Sequence, residues 1–252
     1  MSYWRNRLYF GKNTYSINLG LVVFLLIRIP ILYSNYNKST FIAIYGSNSS
    51  TSDVFDSVLA LSLTILGLCF LITAFLAPTD AEYDAAVENH IPAYELFDYA
   101  LEKLGLDETE VQEIDPVVLG GYEFIGADKF KQGRDGKWRS NVYEIVMLLF
   151  TQNELHAYTV RFMTTEDLFL GEGTDTYFYK DIVSVSTAST SEKVVTSNGF
   201  FGFFRRERYV NSEAFKLTTK GGTSITVHIR NTSYTEQSVK AMRALLREKK
   251  QA

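Results

Sequence analysis

The chain has 252 residues, 46% hydrophobic and 21% charged, with a formal net charge of −4 and one cysteine, Cys69. That composition excludes a disordered polypeptide and a collagen-like repeat. A lone cysteine also excludes an internal disulfide framework and a cysteine-built zinc site. Counted by segment, the charge is uneven. Residues 1–79 hold five bases and two acids, residues 80–116 hold twelve acids against Lys103 alone, and residues 117–252 hold nineteen bases and fifteen acids. The steps coincide with changes in residue pattern. Three parts are expected: a membrane anchor over 1–79, an acidic helical connector over 80–116, and a folded β domain over 117–252.

Two apolar blocks occupy the first part. The first, about residues 17–33, is interrupted by Arg28 and Pro30 and flanked by Trp4, Tyr9, Phe10, Tyr15, Tyr33 and Tyr36, the arrangement of an interfacial aromatic belt. The second, about 55–77, holds an uncharged run from Val58 to Ala77. At 1.5 Å per residue such a run reaches about 30 Å, the thickness of a bilayer's hydrocarbon core. Two transmembrane helices are therefore expected. Arg5, Arg7 and Lys12 precede them and only Lys38 lies in the loop between, which places both termini in the cytoplasm.

In the connector, Tyr94, Phe97, Leu101 and Leu104 recur at helical spacing before Gly105, predicting one amphipathic helix. After the turn Gly133-Arg134-Asp135-Gly136 the pattern becomes that of strands. Seven are predicted: Val142–Phe150, Leu155–Met163, Thr176–Lys180, Ile182–Thr187, Phe203–Val210, Ala214–Thr219 and Thr223–Ile229. The last two flank Gly221-Gly222, a hairpin turn by composition. From Ser233 onward Val239, Met242, Leu245 and Leu246 form one face of a closing helix, with Lys240, Arg243, Arg247 and Lys249 solvated.

This order of elements resembles the bacterial pleckstrin-homology-like fold, also found in GRAM-type domains. The stretches that carry the likeness are FTQNELHAYTV (Phe150–Val160), TYFYKDIVSVST (Thr176–Thr187), and FKLTTKGGTSITVHI (Phe215–Ile229) with its helix. It covers about residues 118–252, and the whole chain is similar to bacterial two-helix membrane proteins. The resemblance implies an α+β protein: two N-terminal transmembrane helices, then a seven-stranded β-sandwich or barrel capped by a C-terminal helix. It further implies a multi-pass protein of the bacterial inner membrane. In pleckstrin-homology-like proteins the phosphoinositide site usually lies between the first two strands. Here that loop, Thr151–Glu154, has no base and one acid, which speaks against a headgroup site.

The most distinctive stretch is NGFFGFFRRERY, Asn198–Tyr209. Phe200, Phe201, Phe203 and Phe204 followed by Arg205, Arg206 and Arg208 are expected to contact a membrane surface or a partner at a hairpin tip. Strand alternation also fits a core role for two or more of these phenylalanines. No phosphate-binding loop, HExxH or Gly-x-Ser-x-Gly motif is present. His156 and His228 fall on outward-reading strand positions, His90 has no ligand-spaced companion, and Glu166, Asp167, Glu172 and Asp175 form an acidic loop. No catalytic residue, cofactor or metal is expected. The expected role is a membrane-anchored, non-catalytic binding or scaffold protein. Its cytoplasmic domain would contact the lipid bilayer, a membrane protein partner or a second copy of itself, and no nucleic acid. A regulatory subunit of a membrane complex and an outward-facing envelope ligand-binding domain are the alternatives.

Overall fold

The computed structural model describes residues 2–11, 65, 67–68, 72, 75–111, 114–198, 204–229 and 233–249, with the backbone alone at 93, 196–198, 204–206 and 233–234. The chain separates into two compact units, one of Arg5–Thr79 and one of Met1–Trp4 with Asp80–Ala252. Helix α1 spans Tyr3–Gly11, and its Tyr9 and Phe10, in the first unit, are buried with their rings edge to face at 5.3 Å.

Among the described residues no helix is long and apolar enough to cross a membrane. The spans expected at about 17–33 and 55–77 lie outside the described residues, except for scattered helical positions such as Leu68 and Ile72. The transmembrane helices and the multi-pass inner-membrane placement are accordingly withdrawn. The longest described helix has 17 residues, short of a span by about one turn, and it carries charge along its length.

The second unit begins with α2 (Asp80–Glu88) and α3 (Ala93–Leu104). Strands β1 (Val117–Glu123), β2 (Phe130–Gln132), β3 (Trp138–Ser140), β4 (Val142–Phe150), β5 (Glu154–Met163) and β6 (Phe169–Phe178) follow. A 3-10 turn at Tyr179–Asp181 leads to β7 (Ile182–Asn198), β8 (Phe204–Thr219), β9 (Ser224–Ile229) and α4 (Ser233–Lys249). All strand pairs are antiparallel, in sheets ordered β1-β4-β5-β6, β2-β3 and β7-β8-β9.

The expected fold class is thus corrected from one seven-stranded sandwich behind two membrane helices to nine strands in three sheets, with four helices among the described residues. Three short causes account for the difference in strands. Gly120 and Gly121 sit in the middle of β1, and a glycine pair weakens the strand pattern of the residues around it. The pair β2-β3 is only three residues long on each side of its turn, too short for periodicity to register. Beyond the end of β9, β7 and β8 continue as one long hairpin where two separate strands were predicted on the β8 side.

Residues of β4 alternate between two covered faces. Val146, Leu148 and Phe150 join Phe215, Leu217, Val227 and the α4 side chains Val239, Met242, Leu245 and Leu246 in the main core. On the other face, α3 packs over β4 and β5, burying Leu96 and Ala100. At the β1 end the two larger sheets nearly touch. A Cβ on Gly121 would lie 2.2 Å from the His228 carbonyl oxygen, so only glycine lets β9 cross there. The Gly221-Gly222 composition implies a two-residue turn with both glycines left-handed. The turn instead closes on Thr219, whose N–H donates to Thr223 O at 2.9 Å, so Lys220 joins it, and only Gly222 is left-handed, at φ +82°.

Candidate docking groove

Strand β7 is an outer strand of its sheet, so alternate N–H and C=O groups along one side face away from β8. Its register slips between Ile182 and Ser184. Val183, at the slip, has no residue opposite it in β8 and is 55% exposed, while its neighbour Ile182 stays in the core at 1%. Helix α4 runs beside this start because Leu245 and Leu246 are held in the same core. Between strand and helix lies a cleft of about 490 Å³, floored by Ile182, Val183, Val185 and Leu246 and edged by Arg243 and Arg247.

The two arginines differ. Arg243 is half-buried, and its Nε donates to the Val185 carbonyl at 3.2 Å. Arg247, one turn on, is exposed and has no hydrogen-bond or ion-pair partner among the described residues. Lys249 lies over the Tyr179 ring at 6.0 Å, and Tyr179 OH donates to Thr151 O at 2.6 Å, which fixes the turn that feeds β7. The arrangement is an open strand edge beside an apolar floor with cations along one rim.

The aromatic-arginine stretch lies elsewhere. Phe200, Phe201 and Phe203 are outside the described residues, and Phe204, Arg205 and Arg206 are backbone positions in β8, opposite Asn198, Ser197 and Thr196. Arg208 is exposed, opposite the buried Val194. Residues 204–208 belong to the two-stranded arm that extends past β9, at the opposite end of β7 from the cleft.

Both strand histidines correct the expectation of surface positions. His228 is 8% exposed. Its Nε2 lies 3.1 Å from Glu192 Oε1 and its Nδ1 3.1 Å from Ser212 Oγ, which in turn meets Thr190 Oγ1 at 3.0 Å. This chain of polar groups ties the outer faces of β7, β8 and β9 together. His156 is 6% exposed, with Nδ1 3.0 Å from Thr176 Oγ1 and Nε2 3.4 Å from Glu154. Burial lowers its pKa against the pull of Glu154 and Glu110.

The acidic loop does not converge. Lys103 binds Glu172, which also accepts from Tyr158 OH at 3.0 Å, and Tyr3 OH donates to Asp167 at 2.9 Å. The Lys103 hydrogen bond holds the Glu172 carboxyl below its usual range. Tyr158 is pushed up to about 12, by burial first and then by Glu172. Among the described residues no three His, Cys, Asp or Glu side chains are grouped to hold a metal ion.

Sequence reasoning missed the groove. Arg243 and Arg247 read as an ordinary solvated face of the closing helix. The available signal was the Ser/Thr-rich stretch after Ile182, which lacks proline and glycine and carries its first charges at Glu192 and Lys193. Such a strand edge has few of the features that normally block pairing. No family model, curated protein or solved structure matches the chain.

Proposed function

We propose that the chain is a non-catalytic protein-docking module that receives an extended segment of a partner as an added strand on β7. The observation that carries this reading is the cleft between α4 and the side of β7 turned from β8, on which no strand pairs among the described residues. Main-chain hydrogen bonds along an open edge supply affinity that is indifferent to sequence, and side chains entering the cleft supply selectivity. Val183 and Leu246 present apolar surface there, and burying one apolar side chain of a partner contributes about 1.5–3 kcal/mol.

The reading is tested by selecting displayed extended peptides on the full chain and mapping amide protection by hydrogen exchange. Protection is expected over residues 183–190 and the facing turns of α4. The substitution Val183→Lys, on an exposed residue, places a blocking charge at the edge and is expected to abolish binding without moving the melting temperature. Protection confined to β6, or binding unaffected by Val183→Lys, would overturn the reading.

A further inference from the structure

The groove is already partly occupied by the protein itself, and the occupant indicates what the partner must carry. The Val185 carbonyl, on the side of β7 turned from β8, accepts its hydrogen bond from Arg243 Nε. A strand adding at this point needs that carbonyl for its own N–H. Displacing the guanidinium leaves a half-buried cation without its acceptor, and an unsatisfied charged donor is costly. A carboxylate on the incoming segment removes the penalty, because it accepts two parallel bonds from the planar guanidinium.

Arg247 supplies the second half of the argument. It stands four residues from Arg243 on the same side of α4, where such residues are stacked one turn apart. Four residues of helix rise about 6 Å, and alternate residues of a strand are about 6.7 Å apart on one face. Two carboxylates at positions n and n+2 of an extended segment therefore match the two guanidinium groups. The residue between them faces the other way, and an apolar neighbour on the carboxylate face reaches Val183 and Leu246 in the cleft.

Resting on the strand-addition reading above, we propose that the partner segment is acidic, of the form Glu/Asp-x-Glu/Asp. Arg243 acts as a stopper on the β7 edge that such a segment draws off. The stopper disfavours neutral and basic strands, including accidental edge pairing, and the same guanidinium rewards an acidic strand. Specificity thus arises from one side chain that opposes the wrong partner and binds the right one.

The test uses the full chain and three fluorescein-labelled extended peptides that differ only at their centre: Glu-Val-Glu, Gln-Val-Gln and Lys-Val-Lys. Anisotropy titrations at low salt are expected to give the Glu peptide an affinity at least about tenfold above the Gln peptide, with the Lys peptide weakest. Arg247→Gln, on an exposed side chain, is expected to cut the Glu preference about fivefold or more, and Arg247→Lys to retain part of it. Arg243→Gln is expected to shrink the preference from the other side: the Gln peptide binds more tightly than to the wild type, because the stopper is gone. Equal binding of the Glu and Gln peptides by the wild type would overturn the acidic-partner proposal while leaving strand addition intact. Loss of all binding in Arg243→Gln, with an unchanged melting curve, would overturn the stopper. Failure of all three peptides to bind the wild type would overturn this proposal and the docking reading together.

Discussion

Two clusters of carboxylates and arginines sit on the β1-β4-β5-β6 sheet and its neighbours, and they are built to opposite effect. At one, Arg139 is 2% exposed and grips Asp84 with two bonds of 2.7 Å while also reaching Asp135 at 2.8 and 3.0 Å. Tyr122 OH adds a third bond to Asp84 at 2.6 Å. Beside it Tyr83 bonds Thr164 Oγ1 and Ser140 O and stacks on Tyr122 at 5.9 Å. Burial drives the Tyr83 hydroxyl pKa far upward. The cluster fastens α2 to the sheet through satisfied groups.

At the other cluster the arginine hydrogen-bonds only one of its two carboxylates. Glu123 and Glu144 share one arginine, Arg161, and Arg161 spends its Nε on Glu123 at 2.6 Å. Glu144 faces Arg161 across the β4-β5 register, yet its carboxyl is pushed up to about 7, by burial first and then by Glu123, against the smaller pull of Arg161. Each cluster sets two carboxylates against one arginine; burial is tolerated where the arginine hydrogen-bonds both, as Arg139 does, and becomes pH-sensitive where one carboxylate, Glu144, is left with only a weaker electrostatic pull.

The largest expected effect breaks the first cluster. Arg139→Met leaves Asp84 buried without its cation and should destabilise the fold by about 3–5 kcal/mol, read from the midpoint of urea unfolding. Adding Asp84→Leu should recover much of the loss, since the penalty lies in the unpaired charge. A single-variant loss below about 1 kcal/mol would show that the pair contributes little.

Next in size is Glu144→Gln, which sharpens the contrast. A carboxyl raised from 4.5 to about 7 in the folded chain keeps its proton where the unfolded chain has lost it. Its contribution is intact below about pH 4.5 and is lost as pH rises toward 7, by up to about 3 kcal/mol. The variant should flatten that slope between pH 5 and 8 and be the more stable form at the upper end. An unchanged slope would locate the sensitivity elsewhere.

Smallest is Asp135→Asn. The Arg139 hydrogen bond, ahead of other causes, holds the Asp135 carboxyl down to about 2. Its contribution is therefore present above about pH 4 and lost as pH falls toward 2. With 40% of the side chain exposed, solvent screening limits the effect to about 1 kcal/mol or less. Acid titration of the unfolding midpoint should show this shallow loss only in the parent chain.

The closing helix was legible because Val239, Met242, Leu245 and Leu246 are spaced for one face and are all buried together. Strand β4 was legible for a similar reason, since an almost unbroken apolar run needs cover on both sides. The stretch around Phe200 drew attention by composition, whereas the groove was invisible because its parts are 58 residues apart between Val185 and Arg243. Neither residue looks unusual in its own neighbourhood. The Asp84–Arg139 pair, 55 residues apart, escaped for the same reason.

Local periodicity alone therefore determined where α4, β4 and the β8-β9 hairpin form, because side-chain burial repeats every 3.6 residues in a helix and every two in a strand. Only the tertiary structure decided that Gly120 and Gly121 belong inside a strand, that β7 ends its sheet, and that Arg243 rests on its edge. Those outcomes depend on which backbones come to lie side by side, a property of packed elements at long sequence separation that no local pattern encodes.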